Sequence, residues 1–133
     1  MPYLVDSDIL IAQREGQAGA LALLEQLAPE GLAISIVTYM EIYQGTLRGP
    51  DPERARVSLD IFLAGVPVVP FSLAAARRCA GLREDLARQG KRVRSRALDL
   101  VTAAIALEHD YTLVTRNRHD FEDISGLSLY EPS

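Results

Sequence analysis

Short apolar runs alternate with amphipathic segments along the chain, and this alternation predicts strands and helices in turn. The run Tyr3–Val5 is β-prone and ends at Asp6, and residues 32–36 form a second candidate strand. Residues 66–71 are predicted as a third strand, near a sheet edge because they include two prolines. Residues 111–115 are the clearest strand, and residues 127–130 could add a short last one.

Apolar residues recur at helical spacing between these strands. Capping signals mark several helix starts: Thr38 and Glu41 have the spacing of a capping box, Asp51 precedes a proline, and Ser72 precedes a long helix that Gly90 ends. Strands that alternate with helices indicate βαβ units. We therefore expect one α/β domain over residues 1–133, with a central parallel sheet of four to five strands between two helical layers.

The composition fits a folded domain and excludes several classes of protein. The chain has 133 residues, of which 48% are hydrophobic, so disorder and low-complexity repeats are excluded. A net charge of −4 argues against a protein that coats nucleic acid, although all but one of the 14 basic residues are arginines, which bind phosphate well. One cysteine, Cys79, forms no intramolecular disulfide, and no stretch predicts a leader or membrane span, so we expect a cytoplasmic protein.

Four acidic residues border the predicted strands. Asp6 follows the first strand, Glu41 lies early in the helix after the second, Asp99 begins the helix that leads to strand 111–115, and Asp120 follows that strand. Ligands of parallel α/β sheets bind beyond the carboxyl ends of the strands. The four carboxylates are therefore expected to converge at one edge of the sheet.

Converging carboxylates repel one another unless they are protonated or bind a cation. An oxygen-only donor set suits Mg²⁺ or Mn²⁺, which activate water for phosphodiester hydrolysis. Each acid also has a purely structural explanation: Glu41 could complete a capping box, Asp99 could interact with its helix dipole, and Asp120 could lie in a surface loop. Their joint spacing favours a site.

Four segments stand in a characteristic order: YLVDSDILI at 3–11, MEIYQG at 40–45, DLVTAAIA at 99–106 and LVTRNRHDF at 113–121. Together they resemble the PIN-domain ribonucleases, most closely the VapC toxins of type II toxin–antitoxin systems. The resemblance implies a PIN-like fold, a homodimer and metal-dependent cleavage of tRNA or another structured RNA. It also implies a small VapB-like antitoxin as inhibitor.

The resemblance assigns roles to particular residues. It implies that the catalytic and metal-binding acids are Asp6, Glu41, Asp99 and Asp120, with Ser7 and Asn117 as supporting polar residues. The third residue of the opening motif is usually Asn or Ser in this family, whereas this chain has Asp8. Asp8 could serve a second metal or a water, but we favour the interpretation that it caps the helix beginning there.

A basic cluster lies just before Asp99. Candidates for RNA phosphate contacts are Arg88, Lys91, Arg92, Arg94, Arg96 and Arg116. The alternative is a solvated loop whose cations pair with Glu84 and Asp85.

Two other functions stay open. Residues 6–8 could open a haloacid-dehalogenase-like phosphatase, but that family expects Thr or Val where this chain has Leu10, and a site lysine, whereas the only lysine is Lys91. A PIN-like module that binds RNA without cleaving it is the second alternative. Apolar groups at 36–43 and 59–63 could form a dimer surface or an antitoxin groove.

Overall fold

The computed structural model of the protein describes residues 2–132. Within this range the strands are Tyr3–Val5 (β1), Leu32–Ser35 (β2), Val68–Val69 (β3), Thr112–Val114 (β4) and Ser128–Leu129 (β5). The α-helices are Ser7–Arg14 (α1), Ala18–Leu27 (α2), Ile36–Arg48 (α3), Pro52–Phe62 (α4), Leu73–Arg88 (α5) and Ala97–His109 (α6). Two 3₁₀ turns, Arg94–Arg96 and Arg118–Asp120, lie beside the ends of α6 and β4.

The five strands form one parallel sheet in the order β3-β2-β1-β4-β5. The central strand β1 pairs with β2 on one side and with β4 on the other, so the strand order reverses direction at β1. In an open parallel sheet, ligands bind in the crevice beyond the carboxyl ends of the strands at such a reversal. Asp6 and Thr115 follow β1 and β4 at this place.

Side chains of the inner strands alternate between two cores, one on each face of the sheet. The core that includes α5 and α6 receives Leu4, Ala33 and Leu113, and the opposite core, which includes α1, α2 and α4, receives Val5, Ile34 and Val114. Successive side chains of a strand point to opposite faces of the sheet, so a parallel strand that is covered on both faces needs an uninterrupted run of apolar residues. The predicted three-layer α/β/α architecture with a parallel sheet is confirmed.

Helix α3 begins earlier than its sequence predicts. Ser35, the last residue of β2, caps the helix, because its Oγ accepts a hydrogen bond from the Thr38 N–H at 3.1 Å. The predicted capping box between Thr38 and Glu41 is therefore wrong. Glu41 lies in the body of the helix, and its carboxylate is available for a different role.

Other element ends agree more closely with the predictions. Asp51 caps α4 and Ser72 caps α5, each through a side-chain oxygen that accepts a backbone N–H bond at 3.1 Å. Strand β3 contains only Val68–Val69, because a proline stands on either side of it, and it lies at the sheet edge as predicted. Cys79 lies on the buried face of α5. No helix within residues 2–132 has the length and apolar character needed to cross a lipid bilayer.

Candidate active site

Asp6 directly follows β1 and belongs to an acidic site beyond the end of that strand. Its backbone N–H donates to the Val114 carbonyl at 2.9 Å, which holds it against the end of β4. Its carboxylate Oδ1 accepts from the Ser7 N–H at 2.9 Å, and Oδ2 accepts from the Thr115 hydroxyl at 2.9 Å. Because Asp6 is also only 9% exposed, it is a buried carboxylate in a fixed orientation.

The environment of Asp6 disfavours its charge. Burial raises the pKa of Asp6 to about 6, and the negative charge of Asp8 adds to the increase. The hydrogen bonds from Ser7 and Thr115 offset part of this effect, since they stabilise the ionised carboxylate. The Asp6 carboxyl therefore binds a proton at a higher pH than an ordinary aspartate does.

Asp99, in the first turn of α6, has a raised pKa for related reasons. Partial burial is the largest cause, followed by the negative charges of Asp120 and Glu41, and the cation Arg96 acts in the opposite direction. Through-space effects of this kind weaken rapidly with distance and solvent screening. The structure therefore brings together carboxylates from four separate segments: Asp6, Asp8, Glu41, Asp99 and Asp120.

The carboxylates form a loose cluster and do not surround one point. Within residues 2–132, no three His, Cys, Asp or Glu side chains are placed to hold a metal ion as they stand. Their chemistry nevertheless fits a hard divalent cation, because every donor is an oxygen and Asp8 Oδ1 is buried without a hydrogen-bond partner. Burial, and after it the neighbouring carboxylates, raise the pKa values of Asp6 and Asp99, so a bound cation would stabilise their ionised forms. Metal binding stays a prediction.

Asp8 has a different role from the helix cap that its position suggested. It lies in the first turn of α1, while Asp6 is the cap. Asp8 Oδ2 lies 3.2 Å from the Thr115 hydroxyl and accepts the Arg116 N–H at 2.9 Å. The capping interpretation is therefore wrong, because Asp8 ties α1 to the segment that follows β4.

Asp120 is held through both of its carboxylate oxygens. Oδ1 accepts from Arg92 Nη2 at 2.7 Å, and Oδ2 accepts from Asn117 Nδ2 at 2.5 Å. Both bonds lower the pKa of Asp120, and the bond from Arg92 has the larger effect. The Asn117 N–H in turn donates to Thr115 Oγ1 at 3.0 Å. Asn117 thus lies where the resemblance places a supporting polar residue, and Ser7 supports Asp6 through its backbone N–H.

We expect Arg92→Ala to raise the pKa of Asp120 towards its ordinary value, because the largest cause of its low pKa is removed. Asn117→Ala should produce a smaller increase in the same direction. Titration of the Asp120 carboxyl by NMR measures both shifts in metal-free protein. Arg94→Ala is the control, since Arg94 is exposed and forms no ion pair within residues 2–132. An unchanged pKa in Arg92→Ala would contradict the pairing.

Most of the cations predicted to contact RNA phosphates have other partners. Arg88 pairs with Glu84 at 3.4 Å, as the solvated-loop alternative predicted, and Arg116 Nη2 donates to Gln17 Oε1 at 2.9 Å. Arg96 is buried in a bidentate ion pair with Asp123, so the prediction that it contacts phosphate is wrong. Lys91 and Arg94 are exposed, and both remain candidates for phosphate contacts.

Sequence reasoning missed Thr115 and Asp123. Thr115 was detectable in principle, because it follows β4 directly and the pairing of β1 with β4 brings it beside Asp6. Asp123 had no comparable signal, since an acid in a polar loop is usually solvated.

Comparison with known proteins identifies relatives over nearly the whole chain. Residues 3–127 match the family model of the PIN domain. The chain is 31% identical over 130 residues to ribonuclease VapC5 of Mycobacterium tuberculosis, covering 96% of this chain and 91% of that protein. It is 28% identical over 127 residues to the tRNA(fMet)-specific endonuclease VapC of Shigella flexneri, covering 96% and 95%.

Solved structures show the same similarity. VapBC2 of Rickettsia felis, bound to a DNA fragment from its promoter, aligns with a TM-score of 0.86 and 28% identity over 100% of both chains. A toxin–antitoxin complex from Klebsiella pneumoniae aligns with a TM-score of 0.75 and 30% identity, covering 98% of this chain and 99% of the other.

Proposed function

The chain belongs to the PIN domain family, and from this premise we propose that it is an endoribonuclease toxin of the VapC type that requires Mg²⁺ or Mn²⁺. The observation that carries the proposal is the carboxylate cluster at the reversal of strand order, which includes the buried Asp6. Ionised carboxylates that lie close together repel one another, and a bound divalent cation removes this repulsion.

A divalent ion bound there would supply a nucleophilic hydroxide and stabilise charge on the phosphate. The proposed ligands are Asp6 and Asp99, with Glu41 and Asp120 completing the site and orienting the attacking water. Hydrogen bonds from Ser7 and Thr115 hold the Asp6 carboxylate in one orientation, which lowers the cost of organising the site.

Residues around Asp120 would orient its carboxylate, and nearby cations would attract the RNA phosphates. Asn117 and Arg92 orient the Asp120 carboxylate, so its position does not depend on the substrate. The exposed cations Lys91 and Arg94 lie in the segment leading to α6 and would attract the RNA backbone, which the carboxylates repel. This explains how a chain with net charge −4 would bind RNA.

The proposed substrate is a structured RNA, and the proposed inhibitor is a VapB-like antitoxin. The name of the Shigella flexneri relative supports tRNA as one candidate substrate. The similar structures from Rickettsia felis and Klebsiella pneumoniae are toxin–antitoxin complexes, which supports an antitoxin partner.

We propose a homodimer as the assembly. Ile36, Met40 and Leu47 lie along one side of α3 and are 41%, 48% and 57% exposed, an apolar stripe suited to a protein partner. In the other apolar group that the sequence indicated, Leu59 is buried in the core, whereas Ile61 is 71% exposed.

Membership of the PIN domain family argues against the haloacid-dehalogenase-like phosphatase alternative. The geometry agrees, because Lys91, the only lysine in the sequence, lies in an exposed segment.

We expect the purified protein to cleave a mixture of tRNAs in Mg²⁺ or Mn²⁺, to lose this activity in EDTA, and to regain it when the metal is restored. Gel analysis of end-labelled RNA measures cleavage and locates the cut sites. Asp99→Asn is the inactive control, since it removes a proposed ligand with little change in volume. Cleavage that persists in EDTA would contradict metal dependence, and RNA binding without cleavage in either metal would favour the non-catalytic alternative.

A further inference from the structure

We propose that the buried Arg96 and its ion-pair partner Asp123 form a clamp that positions Asp120 against the start of α6, the helix that carries Asp99. Neither residue is one of the four acids, and both act through them as positioning residues. This inference rests on the proposed function, since it assigns the clamp a role in the ribonuclease site.

The Arg96 guanidinium joins two chain segments, residues 92–96 before α6 and residues 120–123 after β4. Nη1 and Nη2 bind the two carboxylate oxygens of Asp123 at 2.6 and 2.8 Å. Nη1 also donates to the backbone carbonyl of Asp120 at 3.0 Å, and Nε donates to the carbonyl of Arg92 at 2.8 Å. Only 2% of the Arg96 side chain is exposed, whereas the Asp123 side chain is 26% exposed, so the guanidinium is enclosed and the carboxylate is partly open to solvent.

The positions of these contacts connect the clamp to the acidic site. Arg96 immediately precedes α6, and Asp99 lies in the first turn of that helix. Asp120 ends the 3₁₀ turn Arg118–Asp120 on the other side of the clamp. Hydrogen bonds from one planar guanidinium therefore set how far the backbone of Asp120 lies from the base of the helix bearing Asp99.

The clamp also controls the carboxylate of Asp120 through Arg92. Arg96 holds the backbone of Arg92, and the Arg92 side chain binds Asp120 Oδ1 at 2.7 Å. Asp120 is thus held twice, by its carbonyl through Arg96 and by its carboxylate through Arg92. Loosening Arg96 should disturb both contacts.

The chemistry of the pair suits positioning better than it suits stability. Replacing a buried ion pair with apolar residues is often neutral or stabilising, so such a pair is weak evidence for a role in stability alone. Its value here is geometric, because the guanidinium fork presents several donors in fixed directions. Lysine keeps the charge but has no such fork, which makes Arg96→Lys a direct probe of geometry.

The test compares Arg96→Lys and Asp123→Asn with two controls in single-turnover and steady-state RNA cleavage. Arg78→Lys is the chemical control, because Arg78 forms an ion pair with Glu108 near the far end of α6. Ile105→Val is the stability control, because Ile105 is fully buried in the hydrophobic core on the same helix and is not one of the site acids. Thermal unfolding of all four variants shows how much of each is folded at the assay temperature.

We expect kcat to fall ~10- to 100-fold in Arg96→Lys while KM for RNA changes less than about threefold, since displacement of a catalytic group by about 1 Å has effects of this size. The two controls should retain kcat within about threefold. A rise in KM with unchanged kcat would overturn the proposal, because it would indicate that Arg96 binds RNA directly. A loss no larger than that of Ile105→Val at equal folded fraction would also overturn it.

A readout without RNA or metal separates this inference from the proposed function. The carboxyl pKa of Asp120, measured by NMR in metal-free protein, should rise towards its ordinary value in Arg96→Lys because the Arg92 contact loosens. An unchanged pKa would overturn the clamp even if the wild-type protein cleaves RNA. Absence of RNA cleavage by the wild type would instead contradict the proposed function and leave this pKa shift to decide the clamp.

Discussion

Asp6→Asn will reduce RNA cleavage by ~10³-fold or more, because catalytic groups that act as a unit produce losses of this size when one is removed. Asparagine lacks the second anionic oxygen and the negative charge with which Asp6 would hold a divalent ion. It retains the volume of the aspartate and the oxygen that accepts the Ser7 N–H bond at 2.9 Å. The loss therefore reports charge and not a missing helix cap.

The same substitution should make the metal-free protein more stable at pH 7. An increase in the pKa of Asp6 from 3.8 to about 6 corresponds to a cost of about 3 kcal/mol for the ionised form, as an upper value. Asparagine avoids this cost, so the free energy of unfolding in urea with EDTA should rise by about 1–3 kcal/mol. The Asp6 carboxylate is thus expected to promote cleavage while lowering the stability of the metal-free protein.

Asp51→Asn is the matched control, because Asp51 is also an acidic helix cap but is exposed and belongs to α4. It should leave both cleavage and stability nearly unchanged. An Asp6→Asn variant that retains wild-type cleavage would remove Asp6 from the catalytic site. A variant less stable than Asp51→Asn at pH 7 in EDTA would show that the buried charge is not costly.

Lowering the pH from 7.5 to 5 should weaken Mn²⁺ binding about tenfold, since one proton then competes with the metal for Asp6, whose pKa is about 6. The raised pKa of Asp99 acts in the same direction. Calorimetric titration with Mn²⁺ between pH 5 and 8 measures the affinity. The curve of Asp99→Asn should keep the midpoint near 6, because Asp6 is still present.

The stability of the metal-free protein has the opposite dependence on pH. A group whose pKa is raised by folding binds its proton more tightly in the folded state, so its contribution is present below the unfolded pKa of 3.8 and is lost as the pH rises through about 6. Unfolding in EDTA should therefore become easier across this window for the wild type, relative to Asp6→Asn. Parallel curves for the two proteins would contradict the raised pKa.

The convergence of the acids was predictable because it follows from fold class. Once strands alternate with helices, the residues after parallel strands must share one edge of the sheet. Asp6 and Asp120 could be placed in this way from the sequence alone. Glu41 was predicted near the start of its helix, in a capping box with Thr38. The helix instead begins at Ile36, after the Ser35 cap at the end of β2, so Glu41 lies beyond the first turn.

The basic cluster was the least predictable part. Arg92, Arg94 and Arg96 stand in the same sequence environment, yet Arg94 is exposed, Arg92 binds Asp120 and Arg96 is buried with Asp123. Their spacing is identical, and what separates them is the turn that brings the segment after β4 against the base of α6.

By itself, the sequence determined the alternation of strands and helices, the parallel sheet and the edge at which the acids meet, because hydrophobic period, capping chemistry and strand ends are local signals. Only the tertiary structure decided which charged groups pair. Arg96 and Asp123 are 27 residues apart in the chain. Whether an arginine is solvated or pairs with a carboxylate depends on which distant segment packs against it. That choice determines which residues bind phosphate and which hold the acids in place.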